Sequence, residues 1–312
     1  MLKKISLRKL RLSIVAIFAI LLMYIFPANN SKPHFKEELK YVSSKVTSVP
    51  IFLMDKNSYV ALTETPVNED NIEKRARELI KILTVGGMDS KVPSGFSAII
   101  PPDTEILSIS YEHNVLKIDF SKDLLDIDKE LEEKMIEAIV YTLTSIDKVD
   151  KIIIYVEGDI LTKLPKTKIN LPSTLDRSFG INKEFDLTNT KNIKDVTVYY
   201  INQINENYYY VPVTKYVNDE RDKINIIIDE LTINFDSNKN LKSFLNNDIK
   251  IISSIIEEKT MKLEIQNENN ILNKEINENI NETISLSICD NYKIDEIFLN
   301  DTKKTCKNAK IK

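Results

Sequence analysis

The segment ILSISYEHNVLKIDF, residues 106–120, decides how the chain is read. Two runs of β-forming residues flank the polar turn Glu112-His113-Asn114. In the second run Leu116, Ile118 and Phe120 face one way, and Val115, Lys117 and Asp119 face the other. This is a hairpin with one buried face, and it recurs. Residues 251–265, IISSIIEEKTMKLEI, align with it without a gap and keep four identities: Ile251, Ser253, Glu257 and Lys262. Most of the remaining pairs exchange residues of one class.

The flanks repeat as well. Before the first hairpin, Val49–Met54 and Ser58–Thr63 read as strands around Asp55-Lys56-Asn57. Asn68-Glu69-Asp70 offers a helix cap with acids in the first turn, and Ile72, Ala76, Leu79, Ile80 and Leu83 follow at helical spacing. Gly86-Gly87 ends that helix, and Gly86–Asp103 is a loop. After the hairpin, Asp128 is placed as the cap of a helix whose face is Leu131, Met135, Ile136, Ile139, Val140, Leu143 and Ile146. Lys151–Val156 is the closing strand. The second unit repeats the order. It has strands at Val196–Ile201 and Tyr208–Val213, and a helix bearing Ile224, Ile227, Ile228 and Leu231. The 251–265 hairpin, a helix over Glu275–Cys289 and a strand at Lys293–Leu299 follow. Val217-Asn218-Asp219-Glu220 echoes Val67-Asn68-Glu69-Asp70. A shared order of seven elements indicates duplication.

The predicted fold class is therefore α+β. An N-terminal transmembrane helix precedes two tandem small α/β sandwich domains, each about β-β-α-β-β-α-β with its helices on one sheet face. The predicted segments are a cytoplasmic tip and anchor (1–28), a tether (29–46), a first domain (47–160), a linker (161–192), a second domain (193–302) and a polar tail (303–312).

The anchor reading rests on Lys3, Lys4, Arg8, Lys9 and Arg11, with no acid among them, followed by an apolar run. Its residues are Leu12, Ile14, Val15, Ile17, Phe18, Ile20, Leu21, Leu22, Tyr24 and Phe26. The positive-inside rule leaves the tip in the cytoplasm and exports the rest. A cleaved signal peptide competes, because fifteen residues rise only about 22 Å against a core of about 30 Å. Phe26-Pro27-Ala28 is, however, a poor cleavage site. No Cys follows the run to carry a lipid.

Composition excludes several chemistries. The 312 residues hold 5 Gly, 2 His, 2 Cys and no Trp. Clustered-glycine nucleotide loops and His-rich or four-Cys zinc sites are unsupported. A net charge of −4 gives no reason to expect nucleic acid. No cofactor, no metal, no small-molecule substrate and no catalytic residue is expected. His113 reads as a turn residue, and His34 lies in the tether. Asp123, Asp126, Asp128 and Glu130 lack the spacing of a calcium loop and read as a helix start. The pairs Glu69/Asp70 and Asp219/Glu220 could be hydrolase carboxylates, but helix N-termini account for them. Tyr199, Tyr200, Tyr208, Tyr209 and Tyr210 should alternate between core and surface, the exposed ones suiting contact. Cys289 and Cys306 are read as a core thiol and a tail thiol, a disulfide being the alternative outside the cytoplasm.

The first unit resembles the GerMN domain of the GerM family of sporulation and spore-germination proteins. The resemblance lies in Ile99-Ile100-Pro101-Pro102-Asp103-Thr104-Glu105-Ile106-Leu107-Ser108, in Asn114–Ser121 and in Ile154-Tyr155-Val156-Glu157-Gly158. The motif positions are Ile100, Pro101, Thr104, Leu107, Ser108, Val115, Asp119, Phe120, Ser121, Val156 and Gly158. Leu171–Arg177 and Gly180-Ile181-Asn182 are similar to the stretch between tandem domains. Two departures stand out: many relatives are lipoproteins, and the second unit lacks the turn residues of the first. The resemblance implies a non-enzymatic fold similar to ring-building modules of secretion systems. It also implies a place in the membrane complex between mother cell and forespore, with protein partners and possible self-association. A regulatory or cell-wall binding module is the alternative, and a spore-cortex hydrolase a remote one.

Overall fold

Asp55 closes the first hairpin. Strands β1 (Thr47–Asp55) and β2 (Val60–Val67) pair antiparallel, with Leu53 opposite Ala61. The Asp55 carboxylate accepts from the amides of Asn57 (2.8 Å) and Tyr59 (2.9 Å), and Ser58 turns the chain at φ 64°. The computed structural model describes Phe18 and residues 47–306, apart from 206, 234–240, 246–248 and 268–273. Residues 45–312 form one compact unit.

Helix α1 (Ile72–Leu83) follows, capped by Asn71, whose side chain accepts from the Lys74 amide at 3.0 Å. The cap is thus three residues later than Asn68, because β2 runs to Val67 and the chain must clear the sheet before turning. Ala76, Leu79, Ile80, Ile82 and Leu83 are buried. At the exit, a Cβ on Gly87 would lie 2.2 Å from the Lys81 carbonyl oxygen, so only glycine fits. Strand β3 (Phe96–Ser97) then pairs with β1.

The diagnostic hairpin is β4 (Ile106–Glu112) and β5 (Val115–Phe120). His113 and Asn114, at φ 50° and 63°, form its turn. The register slips between Ile106 and Ser108, so Leu107 is a bulge. Asp128 heads a short 3-10 turn, and helix α2 (Glu132–Leu143) starts after it. Strand β6 (Lys151–Val156) pairs parallel with β5, and β7 (Asp159–Ile160) antiparallel with β6.

The predicted single apolar face on α2 is a difference worth noting: Glu132 and all of residues 135–143 are buried. The helix packs on β1 and β2 as well as on β6, so it is enclosed between layers. Across it, the Phe52 amide donates to Thr142 Oγ1 at 3.0 Å.

The second copy comprises β9 (Ile193–Ile204), β10 (Asn207–Asn218), α3 (Lys223–Ile233), β11 (Ile249–Glu257), β12 (Thr260–Asn267), α4 (Lys274–Asn291), β13 (Glu296–Leu299) and β14 (Thr302–Thr305). Strand β8 (Glu184–Asp186) lies between the copies and pairs parallel with β10. The seven-element order is borne out, with short strands added. Each copy builds a four-stranded sheet, β4-β5-β6-β7 or β11-β12-β13-β14, with the same antiparallel, parallel, antiparallel pairing. The bulge recurs between Ile251 and Ser253. The Tyr199 amide donates to Ser287 Oγ at 2.9 Å, as Phe52 does to Thr142. Thr142 and Ser287 stand in the register that aligns the two hairpins.

One expectation is corrected. Each unit was to keep its helices on one face of one sheet. Instead each divides its strands, and the leading hairpins merge into a shared six-stranded sheet in which β2 pairs with β10 at Leu62 and Tyr210. Alternation fixes which face of a strand is buried, and says nothing about which strand lies beside it.

Candidate functional site

The family-motif residues of the first unit form a local knot. Asp119 Oδ1 accepts from the Gly158 amide at 3.1 Å, and Glu157 donates its amide to the Phe120 carbonyl at 2.9 Å. Ser121 Oγ accepts from the Glu105 amide (3.1 Å) and donates to Asp123 (2.8 Å). The Ile99 and Ile100 amides both donate to the Leu83 carbonyl, which ties the loop to the end of α1. Phe120 is fully buried, Val156 and Val115 are half-buried, and Ser108 is exposed on β4. Thr104 Oγ1 is buried without a partner among the described residues, and Pro101 is buried. Leu107, the bulge residue, is 47% exposed. These positions hold turns and strand ends together, and no two of them make a reactive pair.

The densest polar chemistry lies between the copies. The Arg177 guanidinium pairs with Asp290 of α4, and its other nitrogens donate to Thr144 (3.2 Å) and Ser145 (2.8 Å) beyond α2. It stacks over Tyr141 at 5.0 Å and Phe52 at 5.7 Å. Tyr199 donates its hydroxyl to the same Asp290 at 2.6 Å. Burial lowers the Arg177 pKa, but Asp290 more than offsets this, and the guanidinium stays charged. Burial and Asp290 together push the Tyr199 phenol well up, so it remains a donor.

Asn182 is the second fastener. Its Oδ1 accepts from the Val60 amide at 3.0 Å, and its Nδ2 donates to the carbonyls of Val60 and Pro212, both at 2.8 Å. One side chain thus bridges the facing edges of β2 and β10. The Asn182 amide donates to Glu137 Oε2 at 2.9 Å, and Lys183 lies 2.7 Å from Glu133 and 3.8 Å from Glu137. Burial raises the Glu137 carboxyl to about 7 despite these partners. Tyr209 completes the joint by donating to Asp55 Oδ2 at 2.7 Å.

Part of the loop 86–103 belongs to this joint. A Cβ on Gly95 would lie 2.6 Å from Ile204 Cδ1, and Phe96 packs edge-on against Tyr209 at 5.0 Å. The tyrosine expectation is corrected in the same way. Tyr199, Tyr200, Tyr209 and Tyr210 are buried, and Tyr208 packs on Phe244. Their hydroxyls reach Asp290, Glu230, Asp55 and Asn279. Alternating strand faces do bury half of them in each layer, but here both faces are covered.

The remaining sites fall apart from one another. His113 is an exposed turn residue, 3.5 Å from Glu112. Asp70 lies against Arg75, and Asp219 and Asp229 are both held by Arg221. Among the described residues no group of three or more His, Cys, Asp or Glu side chains could hold a metal ion. The two-thiol reading is overturned: Cys289 and Cys306 form a disulfide that ties the end of α4 to the end of β14. Of the anchor residues only Phe18 is described, helical and exposed, and the others lie outside the described residues, as does His34. Among the described residues no helix is long and apolar enough to cross a membrane. Sequence reasoning missed Arg177, Asn182 and Tyr209 as joint residues. A buried-arginine candidate beside an Asx residue in a Pro- and Gly-marked segment was the one available signal.

Comparison with known proteins agrees with this architecture. Residues 50–162 match a family model described as "Germane: Sporulation and spore germination". The spore germination protein GerM of Bacillus subtilis (strain 168) is 32% identical over 209 residues, which cover 65% of this chain and 56% of the relative. The match therefore spans little more than half of that protein's length. The solved tandem GerMN domains of the sporulation protein GerM from Bacillus subtilis superpose with a TM-score of 0.70 at 26% identity, over 81% of this chain and 90% of that one.

Proposed function

We propose, from the chain's match to the GerM family of sporulation and spore-germination proteins and to its tandem GerMN domains, that it is a structural assembly protein. It is anchored in the cell membrane by residues 12–26, with its N-terminus cytoplasmic and its domains outside. There it docks by protein–protein contacts into the complex between mother cell and forespore. The observation that supports this reading best is how the polar groups are used. Arg177, Asp290, Asn182, Glu137, Asp55 and Tyr209 all join one copy to the other, which leaves a rigid two-domain body as the product of the fold. Rigid bodies with free outer strands suit assembly. No catalytic role is assigned to any residue, and Asp70, Asp219 and Glu220 are engaged by Arg75, Arg221 and Asn192.

The test is a tagged chain in sporulating cells. The expected result is concentration at the membranes between the two compartments, with membrane-complex proteins recovered on pull-down. Uniform expression in vegetative cells without such a partner would overturn the role.

A further inference from the structure

Strands β7 and β14 each end one of the two four-stranded sheets, and each is fixed by the residue that follows it. After β7 comes Leu161, which is buried and donates its amide to the Ile154 carbonyl at 2.9 Å. Leu164 beyond it is fully buried, so the first copy holds its edge strand by packing. After β14 comes Cys306, which donates its amide to the Asp295 carbonyl at 2.9 Å and is bonded to Cys289 on α4. The same place in the two copies thus uses apolar burial in one and a disulfide in the other. Of these, only the disulfide can be undone by a reagent while the fold persists.

What else holds β14 is modest. The strand is four residues long and pairs with Glu296–Leu299 of β13. Thr302, Lys303 and Thr305 are exposed. Lys303 lies 2.7 Å from Glu296, a surface pair that adds little. Lys304 is the stronger hold. It pairs with Glu282 of α4, a buried carboxylate whose other oxygen has no partner among the described residues. Detaching β14 takes that counter-charge away. Cys289 and Cys306 are both half-buried, so the bond is open to a small dithiol.

We infer that the Cys289–Cys306 bond is a redox latch on β14. While it is closed, β14 cannot leave β13 freely, because its end stays tied to α4. A dithiol opens it in two exchanges. One thiolate of the reagent attacks one cysteine sulfur and expels the other as a thiolate; the reagent's second thiol then resolves the mixed disulfide. Two electrons and two protons pass from the dithiol to Cys289 and Cys306, and the reagent leaves as its own disulfide. Strand β14 is then held by its ladder and its lysines, and it opens without the rest of the sheet. Its departure bares the edge of β13, the kind of edge to which an extended segment adds. The latch belongs to the second copy and does not rest on the proposed role.

The experiment is hydrogen exchange of the full chain in detergent micelles, with and without dithiothreitol, read on peptides covering β14 and β12. Circular dichroism is the folding control. Reduction lowers global stability, so amides that exchange only through global unfolding, such as those of β12, speed up by one common factor. Strand β14 should exceed that factor about tenfold or more. The double variant Cys289→Ser/Cys306→Ser should show the same fast β14 without dithiothreitol and no response to it. Adding Lys304→Met to that variant should speed β14 further. If the double variant does not fold, the reduced wild-type chain decides alone. A β14 that speeds up only as much as β12, in the reduced chain or in the double variant, overturns the proposal. A disulfide that dithiothreitol opens only in step with global unfolding, at a rate that climbs with urea from the lowest concentrations, overturns it as well.

Discussion

Arg177 carries a positive charge into the seam between the copies, and Asp290 there is only 3% exposed. Removing the cation leaves that carboxylate buried without a counter-charge, with the Tyr199 hydroxyl as its remaining described donor. Arg177→Met should therefore cost about 3 kcal/mol, read from the urea midpoint at constant m-value. Glu137 acts in the opposite sense. Its carboxyl, raised by burial to about 7 in the fold, titrates near 4.5 when unfolded. Between those values the folded state holds more protons than the unfolded one, so stability falls as pH rises from about 4.5 to about 7. The full swing is at most about 3 kcal/mol. Glu137→Gln keeps an acceptor for the Asn182 amide and should flatten the stability profile in that window. A pH slope unchanged in the variant would place the titration elsewhere. Neither residue was legible in the sequence. Arg177 and Asp290 are 113 positions apart, and a single charge in a segment with Pro165, Pro172 and Gly180 reads as a solvated linker.

At the scale of elements, periodicity carried most of the information. The hairpins, the four helices and their order followed from alternation and helical spacing, and the aligned bulges confirm the duplication. The merged sheet did not follow, because among the described residues its two halves share a single ladder pair, Leu62 with Tyr210, and are otherwise held by side chains such as Asn182 and Tyr209. The Asn182 backbone adopts φ 45°, which asparagine and glycine tolerate. Asn182→Gly preserves the backbone and deletes the bridge, leaving the Val60 amide and two carbonyls without their partner. The expected loss is about 2 kcal/mol. Hydrogen exchange locates it: the Val60 amide should exchange at least about tenfold faster, with the Ile118 amide in the β5 ladder slowed or sped only as far as global stability changes. Equal acceleration everywhere would mean that the joint does not open as a local event.

Residues 45–312 form one compact unit built from two diverged copies, and the second copy is clipped by a disulfide, the first having no cysteine. Cys289 and Cys306 are separated by 17 positions. Closing a loop of that size removes about 3 kcal/mol of unfolded-chain entropy, so reduction should lower the unfolding midpoint and release two thiols that wild-type chain purified without reductant does not show. The bond also fits the exported location proposed above. Sequence alone left the pairing open, since two cysteines near one end are equally compatible with a core thiol and a tail thiol.

The central claim is that the copies fold and move as a unit, and the absence of tryptophan makes it directly measurable. Single reporters Tyr155→Trp on β6 and Phe298→Trp on β13 place one probe in each four-stranded sheet. Equilibrium urea unfolding followed by each probe's fluorescence should give coincident midpoints and slopes in the otherwise wild-type chain, and separated transitions once Asn182→Gly and Arg177→Met are combined. Two distinct transitions in the chain with its joint intact would contradict it.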